Sequence, residues 1–311
     1  VGYFQIADIQ FSSPVILAPL AGYSDLPFRL LCREYGAALV VSEMISCHGL
    51  VYRQKKTISM LNSSSADQPV SFQLFGSDPD VMGEAAAILN EFSPAIIDIN
   101  MGCPVRKVTK RGAGAALMKD IKLAETILSK VVANSKVPVT VKTRKGIDSS
   151  HTTALDFTRM AQDTGASAIC IHGRTWVQGF AGLANWNIVA EAKKISTIPV
   201  IGNGDISAYD NGLEKIHVTG CDAVMVGRGA LGNPWVFNQQ GRPAAIKGIL
   251  SAVKRHIELM AVHLDTTRQL GYIRNHASRY FFDFPGCSKI RQKIHSCQTI
   301  SELVDFLFSL G

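Results

Sequence analysis

The chain has 311 residues, 47% hydrophobic and 18% charged, enough for one large core and a small second domain. It lacks the roughly 18 consecutive apolar residues that a membrane-spanning helix needs. Its seven cysteines are odd in number and contain no Cys-x-x-Cys spacing. That pattern argues against a disulfide framework and a zinc site, and for a reducing cytoplasm. The N-terminal VGYFQIADIQ has no basic or long apolar stretch, which argues against a secretory signal. Net charge is +7, and it is unevenly spread: residues 241–311 hold ten Lys/Arg against five Asp/Glu, the first 240 hold 22 against 20. A polyanionic partner docking on the C-terminal part is one explanation, and a solvated helical surface is the other.

Eight short, β-branched, apolar runs recur along the chain: 15–22, 39–46, 70–76, 95–103, 137–146, 167–175, 198–206 and 222–231. Their interiors are continuously hydrophobic, as expected for parallel strands buried on both faces. Between them lie amphipathic, helix-sized stretches such as 25–37 and 120–135. Eight units of roughly 27 residues predict an α/β fold, a (β/α)8 TIM barrel over residues 1–240. A doubly wound open sheet is the alternative. Gln73, Asn100, Lys142, His172, Asn203 and Arg228 near the strand ends favour the barrel, where such ends converge on one mouth. Residues 233–245 read as a linker. Residues 241–311 then read as a small all-α domain of three or four helices.

The most informative segment is DINMGCPVRKVTKRGAGAALMKD, residues 98–120. Cys103 follows the fourth run in a tight Gly-Cys-Pro turn, and Arg106, Lys107, Lys110 and Arg111 come directly after it. A thiol with an ordinary pKa of about 8.5 is mostly protonated at neutral pH, so at a barrel mouth it could protonate a carbanion. The four cations would attract phosphates. The bland reading of Cys103 is a small buried hydrophobe. The glycines of IGNGDI and MVGRGALG, after the seventh and eighth runs, let backbone N–H groups approach a phosphate. Gly227 to Gly232 matches G-x-G-x-x-G, but Pro234 stands where a long helix would have to start, so a dinucleotide fold is rejected. Lys142 inside an apolar strand is costly unless it has a partner, such as an anionic ring. His172 and Gln73 add hydrogen-bonding groups at the same mouth.

With these motifs in place, the chain resembles the tRNA-dihydrouridine synthases, in particular their bacterial B-type branch. The matching segments are APLAGYSDLPFRLLCREYGA, SEMIS, QLFGSDP, DINMGCPVRKVTKRGAGAALM, VPVTVKTRKG, IHGRT, VIGNGDI and VGRGALGNPW, covering residues 14 to 237. The resemblance implies FMN on the barrel mouth, reduced by NADPH. It places Pro19, Leu20 and Ala21 along the flavin, with Gln73, Lys142 and His172 contacting it. Asn203, Gly204, Asp205, Gly227 and Arg228 would hold its phosphate side. Cys103 would be the general acid, and Asn100 and Arg174 would position the uracil and its ribose-phosphate. The target uridine would leave its stack to reach the flavin.

Departures from the pattern are small: Leu20 stands where Met is usual, Ser24 where Thr is usual, and the linker after the barrel is short. The C-terminal cations Lys254, Arg255, Arg268, Arg274, Arg279, Lys289, Arg291 and Lys293 read as a surface for tRNA phosphates, Arg274 and Arg279 foremost. A cytoplasmic, monomeric enzyme without metal is expected. Three rivals remain at this point: a small-molecule flavoenzyme of the dihydroorotate dehydrogenase type, a non-catalytic RNA-binding barrel, and a phosphate-binding barrel without flavin.

Overall fold

The computed structural model describes residues 3–311 apart from Asp265, Asp283 and Pro285. A hairpin of β1 (Phe4–Ile6) and β2 (Ile9–Phe11) opens the chain. Eight parallel strands then close a barrel in chain order: β3 (Val15–Leu17), β4 (Val40–Ser46), β5 (Val70–Phe75), β6 (Ile96–Asn100), β7 (Val139–Arg144), β8 (Ala168–His172), β9 (Val200–Asn203) and β10 (Ala223–Val226). All eight expected runs are strands, and the barrel, not the open sheet, is the architecture.

The strands are not simply apolar throughout. Successive side chains point to opposite faces of a strand. Outward residues such as Val15, Leu17, Ile97, Ile99, Val141, Ile169, Ile171 and Val224 join the helices in one large core. Inward residues change character along each strand. At the N-terminal end they are apolar or small: Ile16, Ile96, Ala168, Cys170, Ile201 and Ala223 form a separate interior cluster with Phe4, Ile6 and Phe11. The hairpin, which the strand pattern did not announce, therefore plugs the bottom of the barrel. Toward the C-terminal end the inward positions become Gln73, Asp98, Asn100, Lys142, Arg144, His172 and Asn203.

The C-terminal part holds four helices, Ile246–His263, Thr266–Ala277, Cys287–Ser296 and Ile300–Phe308. The third of these, CSKIRQKIHS, has few apolar residues and buries only Ile294. The bundle builds most of its own core, a cluster separate from that of the barrel. Its apolar residues pack with Leu30 and Leu31 of the barrel helix Leu26–Glu34 and with Trp235. The segment read as a linker is corrected here: Pro234–Phe237 forms a buried 3-10 turn, because Trp235, Val236 and Phe237 gain more from burial than from solvent. Arg255 adds a salt bridge of 2.6 Å to Glu34. Gly232 adopts φ +69°, and a Cβ there would lie 2.3 Å from the carbonyl carbon of Arg279. No other residue fits this contact between barrel and bundle. We expect Gly232→Ala to lower stability by about 3 kcal/mol, measured as a fall in the urea midpoint, with proteolysis beginning near residue 240.

Candidate active site

The inward polar ends of the strands open into a cavity of about 1170 Å³ at the C-terminal mouth of the barrel. A ladder of hydrogen bonds builds its floor. Buried Asp98 accepts from Thr140 Oγ1 at 2.5 Å and from Gln73 Nε2 at 2.6 Å. These bonds fix the Gln73 amide, whose Oε1 accepts from Asn100 Nδ2 at 2.8 Å. Asn100 Oδ1 in turn accepts the backbone N–H groups of Gly102 (3.1 Å) and Cys103 (2.8 Å). Burial raises the Asp98 carboxyl to about 6, against the pull of Gln73, Thr140 and Lys142. Gln73 is fully buried and does not line the cavity, so it meets the site through Asn100.

Cys103 lines the cavity, half-buried. Burial raises its thiol above the ordinary range, and this outweighs its Val105 backbone hydrogen bond and the charges of Arg144 and Lys142. The group is therefore a thiol at neutral pH. Arg144, two residues beyond Lys142 on the same inward face, was not singled out from sequence. It is buried and spans two loops, donating from Nε to Gly102 O (2.7 Å) and from Nη1 to Thr175 O (3.0 Å) and Gly179 O (2.9 Å). Its place in Lys-Thr-Arg, one step of two from Lys142, was the signal that could have found it.

Beside Asn100 in register, Lys142 donates from Nζ to Asn203 Oδ1 at 2.9 Å, and Asn203 Nδ2 donates to Met225 O at 2.6 Å. His172 lies among Lys142, Arg144, Arg174 and Arg228. Burial first, then these cations, push its pKa down to about 2, so the ring is neutral. Gly204 at φ +131° sits against this ring: a Cβ there would approach His172 within 3.2 Å and Ala184 within 2.5 Å. Asp205 turns its carboxylate away to Arg174 (2.6 Å) and to the Ala184 N–H (2.8 Å). Burial favours its neutral form, but these partners and Arg228 prevail and hold it low.

Pro19, Leu20, Ala21, Asn100, Cys103, Lys142, His172, Arg174, Asn203, Gly204, Asp205, Gly227, Arg228 and Arg279 all line the one cavity. Arg174 is 3% exposed, and its guanidinium is engaged by Asp205 and by the carbonyls of Ala181 and Gly182, so it acts as a brace for that loop. Arg106, Lys107, Lys110 and Arg111 are exposed and stand outside the cavity lining, around the short helix Arg106–Thr109. Arg274 is half-buried and also outside the lining, whereas Arg279 lies in it and donates to the Tyr23 hydroxyl at 2.7 Å. The side chain of Arg268 lies outside the described residues. The bundle contributes Asn275, Ser278, Phe282, Arg291 and His295 to the lining, and the barrel adds Met44, Tyr23 and Phe180. Only Arg291 of these was a candidate from sequence. Among the described residues no group of three or more His, Cys, Asp or Glu could hold a metal ion, and no helix is long and apolar enough to cross a membrane.

A closed parallel barrel whose C-terminal mouth gathers a thiol, amides, cations and glycine loops has the arrangement of a barrel enzyme's active site. The chain belongs to the dihydrouridine synthase (Dus) family, whose sequence profile matches residues 16–308. It is accordingly an oxidoreductase. A probable tRNA-dihydrouridine synthase of Mycobacterium tuberculosis is 38% identical over 320 residues, covering 96% of this chain and 82% of that protein. A tRNA-dihydrouridine synthase B of Vibrio cholerae is 36% identical and is covered over 97% of both chains. That of Xanthomonas axonopodis pv. citri is 35% identical over 95% of this chain and 92% of its own. Among solved structures, histamine dehydrogenase from Rhizobium sp. 4-9 has a similar fold, with TM-score 0.59 and 14% identity over 82% of this chain. The match spans 50% of that larger protein and concerns the fold alone.

Two outcomes test this geometry. Asn100→Ala leaves two backbone N–H groups and the Gln73 carbonyl without partners, at a cost of about 1–3 kcal/mol to the Cys103 turn. Alkylation of Cys103 by iodoacetamide should then be several-fold faster, with far-UV circular dichroism unchanged. His172, with a pKa near 2, should show no titration of its ring resonances between about pH 5 and 8 in NMR spectra of the free protein, unlike an ordinary histidine.

Proposed function

We propose that this enzyme reduces the carbon 5–carbon 6 double bond of uridines in tRNA to dihydrouridine, with FMN as its bound redox group and NADPH as reductant. The observation that carries the reading is Cys103 lining one cavity with Lys142, Arg144 and the glycine loops after β9 and β10. The names of the relatives support tRNA as substrate. We take a monomer in the cytoplasm as the working form.

The residues present fit FMN. Burial and then Lys142, Arg144, Arg174 and Arg228 depress the His172 pKa, while Asp205 is the one carboxylate in the lining among the described residues, so the lining described carries an excess of positive charge. A phosphate and an anionic reduced ring would offset it. Pro19, Leu20 and Ala21 would lie along the ring, Lys142 and His172 would contact its polar edge, and the Gly204 and Gly227 backbone with Arg228 would hold the phosphate. Asn203 would aim Lys142, and Asp205 would act through Arg174. When bound, the flavin supplies the hydride that uracil carbon 6 accepts.

The chain's own residues supply the rest. Asn100 can reach a uracil edge while holding the Cys103 turn. The Cys103 thiol donates its proton to carbon 5 as carbon 6 gains hydride. The thiolate left behind is favoured by Arg144 and Lys142 and regains a proton from solvent. The cavity exceeds the roughly 300–1,000 Å³ of small-ligand sites, which leaves room for a cofactor together with a substrate.

The test is anaerobic absorption spectroscopy of the purified protein. Flavin bands should bleach with NADPH and recover with unmodified tRNA. Cys103→Ala should bleach normally and recover at least ~100-fold more slowly. Because the Cys103 pKa is raised, recovery should be flat through neutral pH and decline only above the ordinary thiol range, where the acid is lost. Recovery with free orotate and none with tRNA would overturn the reading.

A further inference from the structure

Three exposed phenylalanines occur among the described residues, and two of them, Phe180 and Phe282, line the catalytic cavity. Phe180 is 58% exposed and Phe282 53%, although burying such a ring is worth about 2–3 kcal/mol. Both are held in place rather than left loose. Arg144 donates to the carbonyl of Gly179, and Arg174 donates to those of Ala181 and Gly182, so two buried guanidiniums pin the chain on either side of Phe180. Gly179 and Gly182 take φ +55° and +65°, which the tight loop requires. Phe282 follows buried Tyr280 and Phe281, and Arg242 bonds the carbonyls of Tyr280 and Gly232.

Each ring also carries a cation. Arg228 lies 4.5 Å from the centre of Phe180 and Arg144 5.9 Å; Arg242 lies 4.9 Å from the centre of Phe282. A guanidinium beside a ring, with more than half of the side chain in solvent, is an arrangement suited to an unstacked base and its phosphate. The charge of the lining agrees: among the described residues Lys142, Arg144, Arg174, Arg228, Arg279 and Arg291 stand against the single carboxylate of Asp205.

We propose that Phe180 and Phe282 are stacking platforms for unpaired nucleobases of the RNA substrate, flanking the uridine that enters the cavity. The inference rests on tRNA being the substrate. One platform belongs to the barrel and the other to the helical bundle, so the RNA is gripped by both parts of the chain. Stacking is tolerant of base identity, so the platforms select a splayed, single-stranded loop and not a sequence.

The test measures equilibrium binding of an unmodified tRNA transcript to the FMN-loaded protein over a series of salt concentrations. Phe180→Ala and Phe282→Ala should each weaken binding roughly 5- to 150-fold without changing the slope of log affinity against log salt. Trp at either position should restore affinity, and Leu should not. Arg279→Ala, by contrast, should lower the slope by about 1. Wild-type affinity in both alanine variants, recovery by Leu, or loss of FMN from either variant would overturn the platforms. If wild-type protein oxidises its flavin with tRNA while the alanine variants bind normally, the platforms alone fall. If wild-type protein neither binds nor responds to tRNA, the underlying reading falls with them.

Discussion

Closure of eight parallel strands is the constraint on which the rest of the molecule depends. A closed barrel turns every second side chain toward a common axis, and eight strands leave room only for those side chains. The lower layers, Ile16, Ile96, Ala168, Ile201 and Ala223, are filled by small or apolar residues and sealed by Phe4, Ile6 and Phe11. Polar groups can then gather only at the upper end, where Asn100, Lys142, Arg144, His172 and Asn203 are neighbours in register. The same closure makes the floor hydrogen bonds possible. Asp98, Gln73 and Asn100 lie on β5 and β6, and their chain of bonds carries rigidity from the barrel interior to the Cys103 turn.

Electrostatics at the mouth follow from this crowding. Cations projecting from separate strands and loops surround one buried imidazole, so His172 stays neutral and donates or accepts without adding charge. Arg144 bonds the carbonyls of Gly102, Thr175 and Gly179, and Arg174 bonds those of Ala181 and Gly182 besides Asp205, so both brace loops and still contribute field. The Cys103 thiol feels opposing influences, and burial prevails over the cations and raises its pKa.

The helical bundle contributes residues to the cavity as well as packing on the barrel. It shares its core with the helix Leu26–Glu34 and Trp235, and Gly232 sits directly against the Arg279 backbone. Arg279, Phe282, Arg291 and His295 thus reach the mouth from residues far along the chain. The positive charge concentrated in residues 241–311 is only partly directed there: Arg255 pairs with Glu34, and Lys293 pairs with Glu302.

Strand and helix patterning, the Gly-Cys-Pro turn, and the glycines after β9 and β10 were legible in the sequence because they rest on local period and backbone freedom. Cys103, Asn100, Lys142, His172 and Asn203 could be placed at one mouth for the same reason: each lies at or near a strand's C-terminal end. The tertiary structure decided what depends on packing between distant segments. It alone buried Gln73 beneath Asn100, turned Arg174 and Asp205 onto each other, set Arg106 to Arg111 outside the cavity lining, and brought Phe180 and Phe282 to one cavity. The physical reason is that local sequence sets which face a residue occupies, whereas contacts across a closed barrel are set by the register and shear of strands that no single segment encodes.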